Sequence, residues 1–376
     1  MKLIAHSSVI ALGYEWFSGM FRNGLYRKEE GKEKVEFVGF FPGEKYDQAM
    51  LHGCIRESNN KLYFSPYYSR NVTYYNMLSK TFTNIPLKNM EIDSRAIVGN
   101  SNPLFWQAIK VENGVFMLGY SYPAILFINS TNDEIVYITD WINDLNKYIE
   151  EDEGFAFFTE GHFIEGKELW IPLGCCQGFL VLNLETLRCN IHRVKGSFSS
   201  ISCAENVGKD TYFIMGRGKG KDKYALYDRK KDEINELHNF RIDEHYGDFP
   251  FHKPLYYNGK LFIIPINNAK AFIYDIHSKE LYDWFEFNEL RNSYNEKAPN
   301  FFNLKIVDSI LSFCEMSDLS WNDLDLLNMK NKKQYYYENN LNDDDLKKLF
   351  SPFIEKNSII DEKFYGLNNY LDWIKI

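Results

Sequence analysis

The chain predicts an all-β fold, a ring of small antiparallel sheets, and three observations carry that reading. Aromatic residues make up 17% of the 376, with 30 Phe and 26 Tyr, and aromatic and β-branched side chains suit pleated, half-buried strands. A strand-like run recurs along the whole length: SSVIALGY at Val9, NKLYFSPY at Leu62, NGVFMLGY at Val115, KELWIPLG at Leu169, KDTYFIMG at Thr211, GKLFIIPI at Leu261 and DSILSFCE at Ile310. Each run is followed by a strand, a polar turn and another strand, as in FIYDIHSKELYDW (272 to 284) and ILFINSTNDEIVYI (125 to 138), which is a hairpin signal.

Ahead of most of these runs lies one more strand: LHGCIRES (51 to 58), WQAIKVEN (106 to 113), GHFIEG (161 to 166), ISCAEN (201 to 206), KPLYYN (253 to 258) and NLKIVD (303 to 308). Four antiparallel strands repeated at a period of roughly 40 to 50 residues describe a β-propeller, in which radial stacking buries both faces of every blade. The copies predict seven blades, near 1–47, 48–104, 105–156, 157–198, 199–249, 250–299 and 300–340, so that the propeller spans 1–340 and a helical extension covers 341–376. Six blades is the alternative, with the copy at Val9, its inner strand squeezed into Lys2 to His6, serving as a cap or a shared closing strand.

The second halves of the copies resemble kelch repeats, whose third and fourth strands follow a tyrosine, aspartate, turn, tryptophan pattern. Tyr274, Asp275 and Trp284 match it, and Tyr227 with Asp228 match in part. The glycine doublet of kelch blades is replaced here by the single glycines Gly13, Gly119, Gly174 and Gly216. The resemblance implies a divergent kelch-like propeller at superfamily level and no named family.

Helical interruptions fall between blades. Thr139 to Glu151 places Trp141, Leu145 and Tyr148 at helical spacing behind Thr139 as N-cap, and Glu286 to Lys297 is a looser equivalent. Asn342 with Asp343 to Asp345 starts a helix that Pro352 should stop, and the tail from Ile359 reads as an amphipathic helix or as a ring-closing strand.

Composition narrows the function classes. A net charge of −9 and a pI near 5.5 disfavour non-specific binding to nucleic acid or to an anionic membrane. No apolar run reaches the roughly 20 residues of a membrane span. The six cysteines are scattered, without a CxxC pair, and fit buried thiols in a cytoplasmic protein. GRGKGK (216 to 221) lacks the spacing and following helix of a phosphate loop, Cys175 and Cys176 lack partners at zinc spacing, and Asp243, Glu244, His245 and Asp248 lack calcium-loop spacing. No metal and no cofactor is expected.

In a propeller the upper face collects the loops between second and third strands and the connections into the innermost strand. These loops are the irregular ones, and they would place Tyr14, Trp16, Tyr67, Tyr68, Arg70, Tyr120, Tyr122, Gln177, Arg217, Lys219 and Asn267 around one mouth. The inner strands add His52, Gln107, Glu160, His162, His252, Lys253 and Asn303, with Glu160 and His162 as alternate residues of one strand. Aromatic planes with amide and guanidinium donors suit a peptide segment or a sugar ring.

The leading expectation is a non-enzymatic propeller that recognises a protein or peptide through this face. The first alternative is a carbohydrate-handling enzyme, a sugar isomerase resembling the kelch-type sialic acid mutarotases, with Glu160, His162, His252 and Arg217 as catalytic candidates. The second is a glycan-binding module on the same mouth.

Overall fold

A computed structural model of the chain describes residues 1–32, 34–91, 103–149, 156–218, 221–237, 240, 251–266, 270–289 and 301–356. Its strands fall into seven sheets, each built on four consecutive antiparallel strands. Their innermost strands are Ser8–Ala11, His52–Ser58, Phe105–Val111, Phe163–Glu165, Ser200–Gly208, Leu255–Tyr257 and Phe301–Val307. The chain is a seven-bladed β-propeller.

Alternation explains the aromatic content. On the second strand of blade 1, Tyr14–Ser18, Trp16 packs into the layer shared with blade 2 (Phe41, Leu62, Phe64, Tyr75), whereas Phe17 faces blade 7 (Cys314, Trp321). Blade 3 repeats the arrangement, with Met117 turned toward blade 2 and Phe116 toward blade 4. Each sheet therefore buries two apolar faces, and large side chains fill the wedge between neighbouring blades.

The lower face is a repeated device. An Asn or Asp ends the third strand of blades 2 to 7 (Asn76, Asn129, Asn183, Asp228, Asp275, Asp325), and its side-chain oxygen accepts backbone N–H bonds from the turn that follows. Four residues later the chain takes positive φ, at Lys80, Asp133, Leu187, Asp232, Lys279 and Met329. The side-chain bond offsets the cost of this left-handed residue and ends the strand at the same point in each blade.

Blade 1 departs from the sequence reading. The run at Val9 is the innermost strand and not the second, because Leu12 and Gly13 at φ +50° and +76° make a tight hairpin into Tyr14–Ser18. Lys2–Leu3 is not an inner strand either. It pairs with Tyr337–Asn339, which runs parallel to the outer strand Lys34–Gly39, so both ends of the described chain meet on the outer edge of blade 1. Between blades 7 and 1, Lys305 Nζ and Ser8 Oγ donate to the buried Glu15 carboxylate at 2.8 and 2.7 Å, and Tyr337 OH donates to its other oxygen.

The helices are also adjusted. The first is a single turn, Ile142–Leu145, with Trp141 and Leu145 buried but Tyr148 exposed beside Arg193. The second covers Phe285–Glu289. The last, Asp343–Lys356, continues through Pro352, which fits helical φ and forfeits one backbone bond. Asn342 caps it, accepting from the Asp345 N–H at 2.9 Å, and Arg22 and Tyr46 tie Asp343 to blade 1. Among the described residues no helix is long and apolar enough to cross a membrane.

Candidate functional site at the upper end of the axis

The upper ends of the innermost strands are irregular. β-Bulges interrupt pairing between His52 and Cys54, Phe105 and Gln107, Ile201 and Cys203, and Phe302 and Lys305. A bulge adds one residue and re-aims the side chains around it. The bulged residues engage the axis: Gly53 O bonds His6 Nδ1 at 2.6 Å, and Trp106 Nε1 donates to Glu160 Oε1 at 3.0 Å. Asn303, at φ +51°, exchanges bonds with the Ser8 backbone and hydroxyl.

A second irregularity places Glu160. Gly161 has φ +83° and lies so close to Ala204 that a Cβ would meet its carbonyl oxygen at 2.3 Å. Glu160–Gly161 consequently pairs with blade 5 in parallel, and the inner strand of blade 4 starts only at Phe163. The kink breaks the alternation expected to align Glu160 with His162. Glu160 Oε2 instead accepts the backbone N–H of Lys253 at 2.6 Å, and the Lys253 ammonium pairs with Glu205.

His6 completes the cluster. Its ring lies 5.1 Å from Trp106, 5.7 Å from Phe302 and 6.1 Å from Tyr67, and Trp106 lies 5.5 Å from Tyr67 and 5.8 Å from Tyr120. His6, Tyr67, Trp106, Glu160, Glu205, Lys253 and Phe302 thus bring one residue from each blade to the axis in a connected set.

Burial sets the protonation states. It lowers the pKa of His6 and of His252, although the Glu160 carboxylate nearby pulls both upward. Burial, with Lys253 and Arg56 adding repulsion, depresses His162 to about 3. These imidazoles are neutral at neutral pH. Burial, with Glu160 and Tyr68 adding to it, pushes the Tyr120 phenol up to about 12, so it stays protonated.

A chain of backbone bonds crosses the same region. Met50 N–H donates to Met20 O, Tyr67 to Leu51, Leu104 to Tyr67, Tyr120 to Leu104, Phe157 to Tyr120 and Gly174 to Phe157, at 2.7 to 3.1 Å. Tyr67 and Tyr120 therefore hold blades together with their backbones while presenting rings to the axis.

Of the other expected mouth residues, Tyr68 stays beside the cluster and the rest are dispersed. Tyr14 lies at the lower end of its strand under the Arg27 guanidinium, and Trp16 is buried with its indole N–H on Ala11 O. Both follow from the one-strand offset in blade 1. Tyr68 is buried against Tyr67, Tyr122 is buried with its hydroxyl donating to Lys88 O at 2.7 Å, and Gln177 is buried in the blade 4 loop.

Arg70 is exposed, and Arg217 is half-buried at the upper end of Thr211–Gly218. Gln107 donates to Thr159 O. His52 leaves the axis for the layer between blades 1 and 2, against Phe41 and Phe64. Asn267, Lys219 and the loop with Asp243, Glu244, His245 and Asp248 lie outside the described residues.

The Glu160 carboxylate lies near enough to His252 to favour its protonated form, and it accepts the backbone N–H of the next residue, Lys253. His6, Trp106, Glu205 and Phe302 were not among the expected site residues. Only the position of Trp106 beside Gln107 at a strand start could have pointed to it. Among the described residues no group of three His, Cys, Asp or Glu side chains is placed to hold a metal.

The chain matches no protein-family model and no curated protein. Solved structures do resemble it. Virginiamycin B lyase from Staphylococcus aureus superposes with a TM-score of 0.55 at 10% identity, over 84% of this chain and 94% of that one. YCF48 from Cyanidioschyzon merolae gives 0.53 at 10% identity over 83% and 92%, and YCF48 bound to D1 peptide gives 0.52 at 9% over the same shares. At such identities the likeness shows the fold alone: this chain is similar to these proteins in being a β-propeller.

Proposed function

We propose that this protein is a non-enzymatic interaction propeller that takes a peptide segment of a protein partner at the upper end of its axis. The observation that supports this reading best is the convergence of seven blades on a cluster whose Trp106, Tyr120, Glu160 and Lys253 stay partly exposed. A half-exposed aromatic surface beside backbone and side-chain polar groups fits an extended chain, which needs both apolar contact and hydrogen bonds. YCF48, of the same fold, has been solved with a peptide. The kelch-like character of the second halves belongs to this proposal too, resting on Tyr274, Asp275 and Trp284.

Selection of peptides from a random display library against the full chain tests it. Peptides recovered should lose at least about tenfold in affinity on Trp106→Ala, the range expected for a buried aromatic anchor. They should be indifferent to Leu78→Ser, an exposed position on the lower face. Binding that survives Trp106→Ala and disappears with Leu78→Ser would overturn the upper-face assignment.

A further inference from the structure

Several shielded carboxylates of this molecule are held by a cation, whereas Glu160, like Glu44 against Ser69, is held by neutral donors. Glu15 holds Lys305, Asp133 holds Lys61 and Glu205 holds Lys253. Glu160, itself only half-buried, has no ion-pair partner among the described residues. Its two oxygens accept from neutral donors, the Trp106 indole and the Lys253 backbone N–H. The ammonium of Lys253, whose backbone N–H Glu160 accepts, is committed to Glu205. A carboxylate drawn out of water without a countercharge is costly, and the cost falls when a cation arrives.

The surroundings suit an organic cation better than a metal ion. Trp106 and Tyr120 sit with ring centres 5.8 Å apart and both partly exposed, and aromatic faces attract ammonium and guanidinium groups. A metal ion would need several oxygen or nitrogen ligands at short range, and no such group of side chains is present among the described residues. The overall charge of −9 favours the approach of a cationic partner.

We propose that this axial cluster binds a basic side chain of the peptide partner, its ammonium or guanidinium group lodged against Trp106 and Tyr120 and neutralising the Glu160 carboxylate. The inference rests on the peptide reading above and adds the chemistry of the anchor: a lysine or arginine.

Choline and its uncharged isostere 3,3-dimethylbutan-1-ol are the probes, titrated into the full chain by ligand-observed NMR. Choline is expected to bind at least tenfold more tightly than the alcohol, and Glu160→Gln to bring choline down to the alcohol's affinity. Equal binding of the two probes, or none of either, overturns the proposal, and this comparison needs only the wild-type chain. So does a folded Glu160→Gln variant, with an unchanged unfolding temperature, that retains full choline affinity.

The peptide arm separates the two readings. Peptides that bind through Trp106 yet tolerate norleucine at every Lys and Arg would overturn the cation anchor and leave peptide recognition standing. Choline binding that depends on Glu160, with no peptide recovered from the library, would sink the peptide reading and support the cation site.

Discussion

The two faces of the propeller are built on opposite rules. On the lower face the same bond is made seven times: Glu30 N–H to Gly13 O, Met77 to Asn60, Ser130 to Asn113, Leu184 to Lys167, Arg229 to Asp210, Ile276 to Gly259 and Leu326 to Ser309, at 2.8 to 3.1 Å. At the upper axis the seven blades contribute a histidine, a tyrosine, a tryptophan, two glutamates, a lysine and a phenylalanine, with Trp106 and Phe302 at β-bulges and Glu160 beside the Gly161 kink. Repetition marks what must be the same in every blade, which is the scaffold. Departure from repetition marks what only one blade supplies, which is where a site can be assembled.

The largest expected effect sets one glycine of each face against the other. A Cβ on Gly119, at the upper end of its strand, would lie 1.9 Å from Tyr122 O and 2.6 Å from Ala124 O, backbone atoms that cannot rotate away. Gly13, in the lower hairpin of blade 1, has open space around its Cβ position and only a φ of +76° to oppose substitution. Gly119→Ala should therefore lose about 4 kcal/mol or fail to fold, and Gly13→Ala about 1 kcal/mol. Urea denaturation of the two variants measures both, and equal losses would erase the difference in rigidity between the faces.

Acid should act first on the upper half. His52 and His162, at or beside the upper ends of inner strands, are each depressed to about 3 from 6.5, so below pH 6.5 protons bind to the unfolded chain and not to the folded one. Stability is then fully present above pH 6.5 and falls as the pH drops toward 3, by about 1.4 kcal/mol per unit for each histidine. Between pH 6.5 and 5 the buried His52 alone should cost about 2 kcal/mol. His52→Asn retains a partner for Ser18 Oγ and should flatten the pH dependence of urea stability by one proton. An unchanged slope would mean that His52 is not held neutral.

The contrast also explains what could be read in advance. Strand runs at Leu62, Val115, Leu169, Thr211, Leu261 and Ile310 stand out because both faces of each sheet are buried and the turns between them are polar. Blade 1 was misplaced by one strand because Val9 and Trp16 both sit in apolar runs, and the Leu12-Gly13 hairpin between them lacks the usual Asn or Asp. Tyr67, Tyr120, Glu160, His252 and Lys253 were legible as upper-face residues from blade position. Trp106 was not, because alternation assigns the axis to Gln107 and a bulge is one extra residue with no mark in the sequence. His6 and Phe302 meet across the ring closure, a contact of residues 296 positions apart that no repeat alignment contains.

The smallest effect tests whether the lower face is as interchangeable as its repetition implies. Asn183 ends the third strand of blade 4, and its side-chain oxygen accepts the backbone N–H groups of Glu185 and Thr186 at 3.0 and 2.9 Å, with the Thr186 hydroxyl at 3.1 Å. Asn183→Ala removes this acceptor at a solvated turn, where water replaces part of the loss, so about 1 kcal/mol is expected. Asn183→Asp should be nearly neutral, since Asp228, Asp275 and Asp325 make the same turn in blades 5, 6 and 7. Peptide binding at the upper axis should not change with either substitution. The turn and the axis lie at opposite ends of the blades, and the lower face acts on the site only through the stability of the sheet. A loss of peptide affinity in a folded Asn183→Ala variant would show that the two faces are coupled, and the division into scaffold and site would have to be abandoned.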